Sequence, residues 1–537
     1  MKDRLDTLKE ACGIFGIAAK ESINVYDKIY YGLFALQHRG QESVGIATSK
    51  ININNTDNIN NTDKNNTDNT NNTDKNNTDN TNNTKKSIKI EIVKNIGIVP
   101  EALRNKFIEG NIGIGHVRYS TTGSSSLENS QPIQIKCGEE IFAIAHNGNI
   151  TNTEEIKQKL KSTTFLTTTD SEVIANLIAH YYVINKNFFE SIKLAMNEIV
   201  GSYCLVILYK NNVIAVRDPK GFRPLVIGKN EEGEICIASE TCALDAIGFS
   251  YVRDVEPGEI FVTECVSEKE NHITFSGFEN NTQNQNNSQN DNNKISSLKI
   301  SSSTYSLLKD KISYCMFEYV YFARADSVIN GASIYQIRKD IGKILASESY
   351  VDSDIVIPVP DSGITAAIGY AEWCIENHKR ISYSEGLMKN RYSGRTFILP
   401  NQADREKELY TKLNPIKTEI DGKRIILIDD SIVRGTTIKR IIKILRDKGA
   451  KEIHIRVSCP PIKFPCKFGI DMQTAKEFIA SGKSVDEISA LIGANSLQYI
   501  SMEGLVRAIG TKNLCDACLT GISPVTEKQM KLTDEIR

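Results

Sequence analysis

The chain has 537 residues, 40% hydrophobic and 24% charged, with 65 lysines and arginines against 66 aspartates and glutamates. That length allows two or more large domains, and the near-zero net charge gives no bulk attraction to nucleic acid or to an anionic membrane. No apolar run is long enough to span a bilayer and the first eleven residues lack the apolar core of a secretory signal, so the twelve cysteines are expected in a reducing compartment, the cytoplasm, where disulfides are not expected.

The chain opens with a charged leader, "MKDRLDTLKEA", followed at once by the strand-like "CGIFGI". Taken alone, Cys12 reads as a buried strand cysteine. Its position offers another reading. If residues 1–11 are removed, Cys12 becomes the amino terminus, and its own α-amino group, with a pKa of about 8, can act as the base for its thiol. No separate histidine is then needed.

A helical pattern over 24–37 is followed by the strands "SVGIATS" (43–49) and "KIEIVKN" (89–95). Between them, residues 52–84 form an Asn/Thr/Asp tract in which "NNTDKNNTDNT" occurs twice. With almost no apolar side chains the tract cannot offset the entropy of ordering, so it is expected to be a disordered insertion that lengthens a hairpin. The strands "GIGHVRYS", "FAIAHNG", "CLVILY", "VIAVRD" and "ICIASE" follow, with a second helical pattern over 171–184. This predicts a sheet-rich α+β layered domain to about residue 265. A second tract, 279–293, is again Asn-rich and is expected to be disordered and to mark the domain boundary. Beyond it, "SDIVIPVP" and "RIILIDD" alternate with helical patterns, as in a parallel α/β sheet.

In "KRIILIDDSIVRGTTIKRIIKILRDKGA" (423–450), "IILI" is a buried strand and apolar residues at 438, 441, 442 and 445 mark a helix closed by Gly449. "DDSIVRGTT" is therefore a loop at the carboxyl end of a strand that opens a helix. Backbone N–H groups with the hydroxyls of Ser431, Thr436 and Thr437 can cradle a phosphate there, and Gly435 permits its close approach. Asp429 and Asp430 would repel a phosphate but suit ribose hydroxyls or a hydrated Mg²⁺.

"CGIFGI", "LQHRGQES", "GIGHVRYSTTG", "AHNGNI" and "TTTDSEV" occur in the order found in the N-terminal-nucleophile glutamine amidotransferases, which the first half of the chain resembles. The resemblance implies that Cys12 is the nucleophile, that Arg118 binds the glutamine α-carboxylate and Asp170 its α-ammonium, and that Asn147 and Gly148 form the oxyanion hole. Arg39 and Gly40 would line the glutamine site. An αββα sandwich is the fold implied.

The 429–437 loop resembles the phosphoribosylpyrophosphate signature of type I phosphoribosyltransferases, which adds Arg434 to the ligand set. "IPVPDSG" is similar to that family's pyrophosphate loop, with Asp361, Ser362 and Gly363 at its tip, and "LMKNRYSGRTFI" (387–398) is similar to its flexible catalytic loop. Lys389, Arg391 and Arg395 would neutralise departing pyrophosphate, and Ser362, Asp429 and Asp430 would hold one Mg²⁺. The two halves together resemble the amidophosphoribosyltransferases. That implies transfer of glutamine nitrogen, as ammonia passed between two sites, onto phosphoribosylpyrophosphate. It also implies feedback by purine nucleotides and a homo-oligomer, dimer or tetramer.

Cys515 and Cys518 form a lone C-x-x-C, with Cys466 after "PPIKFP" and Cys315 opening "CMFEYVYFARADS". Spacing alone leaves a metal site and core cysteines equally open. The family includes forms with a cleaved leader and one [4Fe–4S] cluster, and the resemblance makes Cys315, Cys466, Cys515 and Cys518 its ligands. Cys137, Cys204, Cys236, Cys242, Cys265, Cys374 and Cys459 are then structural. The expected organisation is a leader (1–11), an amidotransferase domain (12–265), a linker insert (279–293) and a phosphoribosyltransferase domain with a cluster-binding tail (300–537). A sugar-isomerase domain or an "SGGxDS" loop, expected of other glutamine amidotransferases, is absent. A non-catalytic nucleotide sensor would have lost the nucleophile or the glutamine motifs, and these are present.

Overall fold

The computed structural model describes residues 12–20, 22–50, 89–119, 126–266, 297–304, 311–390, 413–470 and 478–525. The leader and both Asn-rich tracts lie outside the described residues. Among the described residues, no helix is long and apolar enough to cross a membrane.

The first half is built on two antiparallel sheets. One has strands β1 (Gly13–Ala18), β2 (Ser43–Ser49), β3 (Ile90–Ile96), β4 (Ile112–Arg118), β9 (Val226–Lys229), β10 (Ile235–Ala238) and β11 (Ser250–Asp254), in the order β11-β9-β10-β1-β4-β2-β3. The other has β5 (Ile133–Cys137), β6 (Glu140–Ile150), β7 (Gly201–Tyr209), β8 (Asn212–Arg217), β12 (Glu259–Val266) and β13 (Ser297–Thr304), in the order β13-β12-β8-β7-β6-β5. Strand alternation splits the core. On β1, Ile14 and Ala18 join the apolar layer between the sheets, whereas Phe15 and Ile17 pack under the helices Tyr26–Ala35 and Thr241–Asp245. The helices Thr153–Lys159, Asp170–Asn185 and Phe188–Glu198 cover the outer face of the second sheet. The result is the αββα sandwich. The helix Phe188–Glu198 was not anticipated; the Asn187 side chain caps it, accepting from Glu190 N at 3.1 Å.

β2 and β3 pair from Ser43↔Ile96 to Ser49↔Ile90, so the first Asn-rich tract does connect the strands of a hairpin. The second tract does so too, contrary to its expected place at the domain boundary. β12 and β13 pair from Glu259↔Thr304 to Val266↔Ser297, and 279–293 falls between them. The strand segment 297–304 thus extends the first domain's sheet. Composition shows only that an insertion sits at the surface, and a hairpin tip meets that condition as well as a linker does.

In the second half, β14 (Tyr314–Cys315) leads into a π-helical turn, Glu318–Phe322, and a ribbon of β15 (Val328–Ile329) and β16 (Ala332–Ser333). The central sheet contains β17 (Ile355–Pro358), β18 (Ser382–Tyr383), β21 (Arg424–Asp429), β22 (Glu452–Val457) and β23 (Ser496–Tyr499), all parallel in the order β18-β17-β21-β22-β23. Ile334–Ser349, Ile364–Glu376 and Met502–Ile509 cover one face; Thr436–Asp447 and Val485–Ile492 cover the other. Strand order reverses between β17 and β21, and in open α/β sheets the crevice at that switch point takes the ligand. β19 (Leu387–Lys389) and β20 (Leu413–Pro415) form an antiparallel stem beside it. β24 (Leu514–Cys515) returns to pair in parallel with β14, setting Cys315 opposite Cys515.

Candidate active sites

The register of β1 with β4 sets Gly13 against Val117, which brings Cys12 beside Arg118. The Cys12 thiol is buried and donates to Tyr119 O at 3.4 Å. Burial pushes its pKa up; the positive charge of Arg118 opposes the shift, and the negative charges of Asp170 and Glu42 add to it. Such a thiol needs a positioned base. His116, buried on β4 opposite Ile14, is a poor one: burial drives its pKa down to about 3. Burial also lowers that of His146.

Asp170 is the first residue of its helix. The helix cap, Thr169, makes no side-chain capping bond, and the Asp170 carboxylate accepts instead from Ile150 N on β6 at 3.1 Å. Asn147 and Gly148 lie on β6 opposite Cys204 and Tyr203. Asn147 is 1% exposed, and neither its Oδ1 nor its Nδ2 has a hydrogen-bond partner among the described residues. A buried polar group without a partner costs about 1–3 kcal/mol, so an amide with both ends unpaired marks a place where a ligand completes the bonding. Gly148 has no room for a side chain: a Cβ would lie 2.1 Å from Ser202 O and 2.8 Å from His146 Nε2.

Behind this strand is a group that sequence reasoning missed. His146 Nδ1 is 3.0 Å from Ser171 Oγ, and Gln131 accepts from His146 N at 2.7 Å while donating to Ser171 Oγ at 2.9 Å. His146 stands inside the "AHNGNI" motif, but nothing local reveals its partners. Gly40 lies against the backbone of Val117 and Arg118. Arg39 does not project freely into the site. Its Nε donates to Cys12 O at 3.3 Å, and its guanidinium pairs with Glu240 and Glu318.

At the second site, β21 ends at Asp429, whose carboxylate accepts from Asp430 N at 2.9 Å. Asp430 accepts from the hydroxyls of both Ser362 and Ser431. Gly435 adopts φ 78°, a left-handed conformation that favours glycine, and turns the loop into the helix Thr436–Asp447. The loop carrying Asp361, Ser362 and Gly363 is held to β21 by Val359 N donating to Ile428 O at 2.8 Å. Lys389, at the end of the β19–β20 stem, reaches Asp361 at 2.6 Å. Arg391 and Arg395 lie outside the described residues. Arg434, Thr436 and Thr437 lie in the 429–437 loop and the first turn after it.

Burial and the charge of Asp430 push Asp429 well above the usual carboxylate range; burial also raises Asp430, against the hydroxyls of Ser362 and Ser431 and the charge of Arg338. Two buried adjacent carboxylates and a serine hydroxyl are oxygen donors of the kind Mg²⁺ takes, and a cation would relieve their repulsion.

The structure also gathers Cys315, Cys466, Cys515 and Cys518. Cys315 pairs with Cys515 across the β14–β24 ladder, and Cys466 packs in the same apolar group as Cys515. Burial pushes Cys518 up, and the charges of Cys466, Cys459, Cys315 and Cys515 add to it. Cys315 is raised to about 11 by burial, against the positive charge of Arg223. These four cysteines come from three segments of the chain, Cys515 and Cys518 from the one C-x-x-C. As they stand, though, no group of three or more His, Cys, Asp or Glu among the described residues could hold a metal ion.

Fold and sites together define a glutamine amidotransferase joined to a phosphoribosyltransferase. Residues 116–246 match the family model for a glutamine amidotransferase domain, and residues 332–467 match that for a phosphoribosyl transferase domain. The chain is 46% identical to the amidophosphoribosyltransferase of Methanocaldococcus jannaschii over 521 residues, 96% of this chain and 97% of that protein. It is similar to the solved glutamine phosphoribosylpyrophosphate amidotransferase of B. subtilis complexed with ADP and GMP, with a TM-score of 0.76, 38% identity, and 96% and 98% of the two chains covered. A structure of the allosteric regulatory enzyme of purine biosynthesis matches with the same TM-score, 0.76, and the same identity, 38%, covering 96% of each chain. The chain belongs to the amidophosphoribosyltransferase family. It converts glutamine, phosphoribosylpyrophosphate and water to 5-phosphoribosylamine, glutamate and pyrophosphate, the first committed step of purine synthesis.

Proposed function

We propose that the reaction is divided between the two sites by an N-terminal-nucleophile mechanism. Removal of residues 1–11 frees the α-amino group of Cys12, which takes the thiol proton as Sγ attacks the glutamine carboxamide. Arg118 binds the α-carboxylate and Asp170 the α-ammonium, with Arg39 and Gly40 bounding the pocket. Asn147 Nδ2 and Gly148 N–H donate to the oxyanion. The thioester is hydrolysed to glutamate, and the released ammonia passes to C1 of the ribose in the transferase domain. There Asp429 and Asp430 hold the ribose, while Ser431, Arg434, Gly435, Thr436 and Thr437 hold the 5-phosphate. Lys389, Arg391 and Arg395 meet the pyrophosphate as the loop they lie on closes. Ser362, Asp429 and Asp430 would bind one Mg²⁺, which supplies charge neutralisation for pyrophosphate.

The observation that carries this reading is the buried, unpaired Asn147 amide on β6, in the sheet that faces the one Cys12 enters. Asn147→Ala is expected to lower glutamine-dependent kcat by about 10²–10³-fold, with little change in KM for glutamine. Steady-state kinetics checks this; an unchanged kcat removes Asn147 from the oxyanion hole.

Cys315, Cys466, Cys515 and Cys518 would hold one [4Fe–4S] cluster, which is structural because neither half-reaction is redox. Bound there, it ties the carboxy-terminal segment to β14, and its binding energy becomes folding energy. Anaerobically purified protein is expected to be brown, with iron and sulfide in equal amounts. Cys515→Ser is expected to lose the colour and the iron and to melt at lower temperature. A colourless, iron-free native protein, or a Cys515→Ser variant with native iron content, contradicts the assignment. Purine nucleotides, which the B. subtilis structure contains as ADP and GMP, are the expected feedback inhibitors. A homo-oligomer in the cytoplasm completes the proposal.

A further inference from the structure

Arg39, Glu240, Glu318 and Arg223 form a charge-balanced group whose side chains are each no more than 2% exposed. Three of them come from the amidotransferase half; Glu318 comes from the transferase half, at the start of the π-helical turn. Arg39 Nη2 lies 2.8 Å from each Glu318 oxygen, Arg39 Nη1 pairs with Glu240, and Arg39 Nε reaches the carbonyl of Cys12. Every nitrogen of the guanidinium is assigned, so its plane is fixed. Glu318 is held in turn: Arg223 Nη1 donates to it at 2.9 Å, and Arg223 Nη2 donates to Phe468 O at 3.1 Å. Arg338 pins the turn itself, donating to Tyr319 O at 2.9 Å and Ala323 O at 2.7 Å.

Buried ion pairs seldom stabilise a fold more than apolar side chains of the same shape would. This one ends on the carbonyl of the nucleophile. A chain-terminal residue is joined to the protein by one peptide link, and its amino group and side chain swing together about the Cα–C bond. Holding the carbonyl fixes that axis, so that a single rotation is left to set the aim of both thiol and amine. We propose that Glu318 is a positioning residue for the amidotransferase reaction: through Arg39 it orients Cys12, so that the first site is aligned only when the second domain is docked. This rests on the reading of Cys12 as the amino-terminal nucleophile.

The test uses the full mature enzyme with saturating phosphoribosylpyrophosphate. Glu318→Gln is expected to lower glutamine-dependent kcat by about 10²-fold, the scale of a small misplacement of reacting groups. The KM for glutamine and ammonia-dependent synthesis should remain near native. The rate at which a diazoketone analogue of glutamine alkylates Cys12 should fall in parallel. Glu318→Asp, which keeps the charge, should recover part of both rates and serves as the probe if Glu318→Gln does not accumulate folded. Thr241→Val removes another inter-domain bond, Val328 N to Thr241 Oγ1 at 2.9 Å, without touching Arg39, and should leave kcat unchanged. Native alkylation and kcat in the folded Glu318 variants overturn the proposal, as does an equal loss in Thr241→Val or in ammonia-dependent synthesis. Failure of the analogue to label Cys12 in the native enzyme would instead overturn the nucleophile reading.

Discussion

Cys12→Ala is expected to lower glutamine-dependent formation of 5-phosphoribosylamine by at least about 10⁴-fold, the scale of removing a nucleophile, while synthesis from ammonium salts continues. The two outcomes separate because the sites are built on different sheets. Cys12 enters β1 of the sandwich, whereas C1 chemistry belongs to the switch point between β17 and β21. Burial raises the Cys12 thiol and leaves His116 a weak base at about 3. In the proposed mechanism the α-amino group, with a pKa of about 8, is the base, and the native rate with glutamine should rise with pH toward that value. Parallel assays with glutamine and with ammonium chloride check the split. Active native enzyme whose mass shows the leader still attached contradicts the amine as base.

Asp430→Asn is expected to have opposite effects on function and on stability. A hydrogen bond to a charged group contributes about 1.5–3 kcal/mol, so affinity for phosphoribosylpyrophosphate should fall roughly 10- to 100-fold. The ligand-free protein should nevertheless melt higher at neutral pH. Burial raises both carboxylates in the folded state, and the charge of Asp430 adds to the rise at Asp429, so the folded chain binds protons more readily than the unfolded one. Stability of the ligand-free native protein from this pair therefore grows as pH falls from the raised folded values toward about 4. Asp430→Asn should flatten that dependence, and Mg²⁺ at neutral pH should stabilise the native protein more than the variant. Calorimetry with and without Mg²⁺ measures both. A variant that melts lower, with native affinity for substrate, contradicts the assignment.

Local chemistry made much of this legible in the sequence. The 429–437 loop carries its carboxylates, its hydroxyls and the glycine that turns it within nine residues, and the structure brings Ser362 to Asp430 from the adjacent strand end. Strands buried on one or both faces announced themselves by composition. Pairings between distant residues did not. Glu318 is 279 residues from Arg39, and Glu240 is 201, so no periodicity links them. Arg39 in "LQHRGQES" could be read as a wall of the glutamine site, but its commitment to two buried glutamates appears only in the fold. The two-residue ladder of β14 with β24 is too short for any strand pattern, although it sets Cys315 against Cys515. The second Asn-rich tract misled because a hairpin insertion and a linker share one composition.

The central claim is that both half-reactions run on this chain and are coupled. The most direct measurement is product formation by anaerobically purified protein supplied with glutamine, phosphoribosylpyrophosphate and Mg²⁺. Glutamate and pyrophosphate should appear in equal amounts, each requiring both substrates. Glutamate release without pyrophosphate, or neither product from protein shown to begin at Cys12, would contradict it.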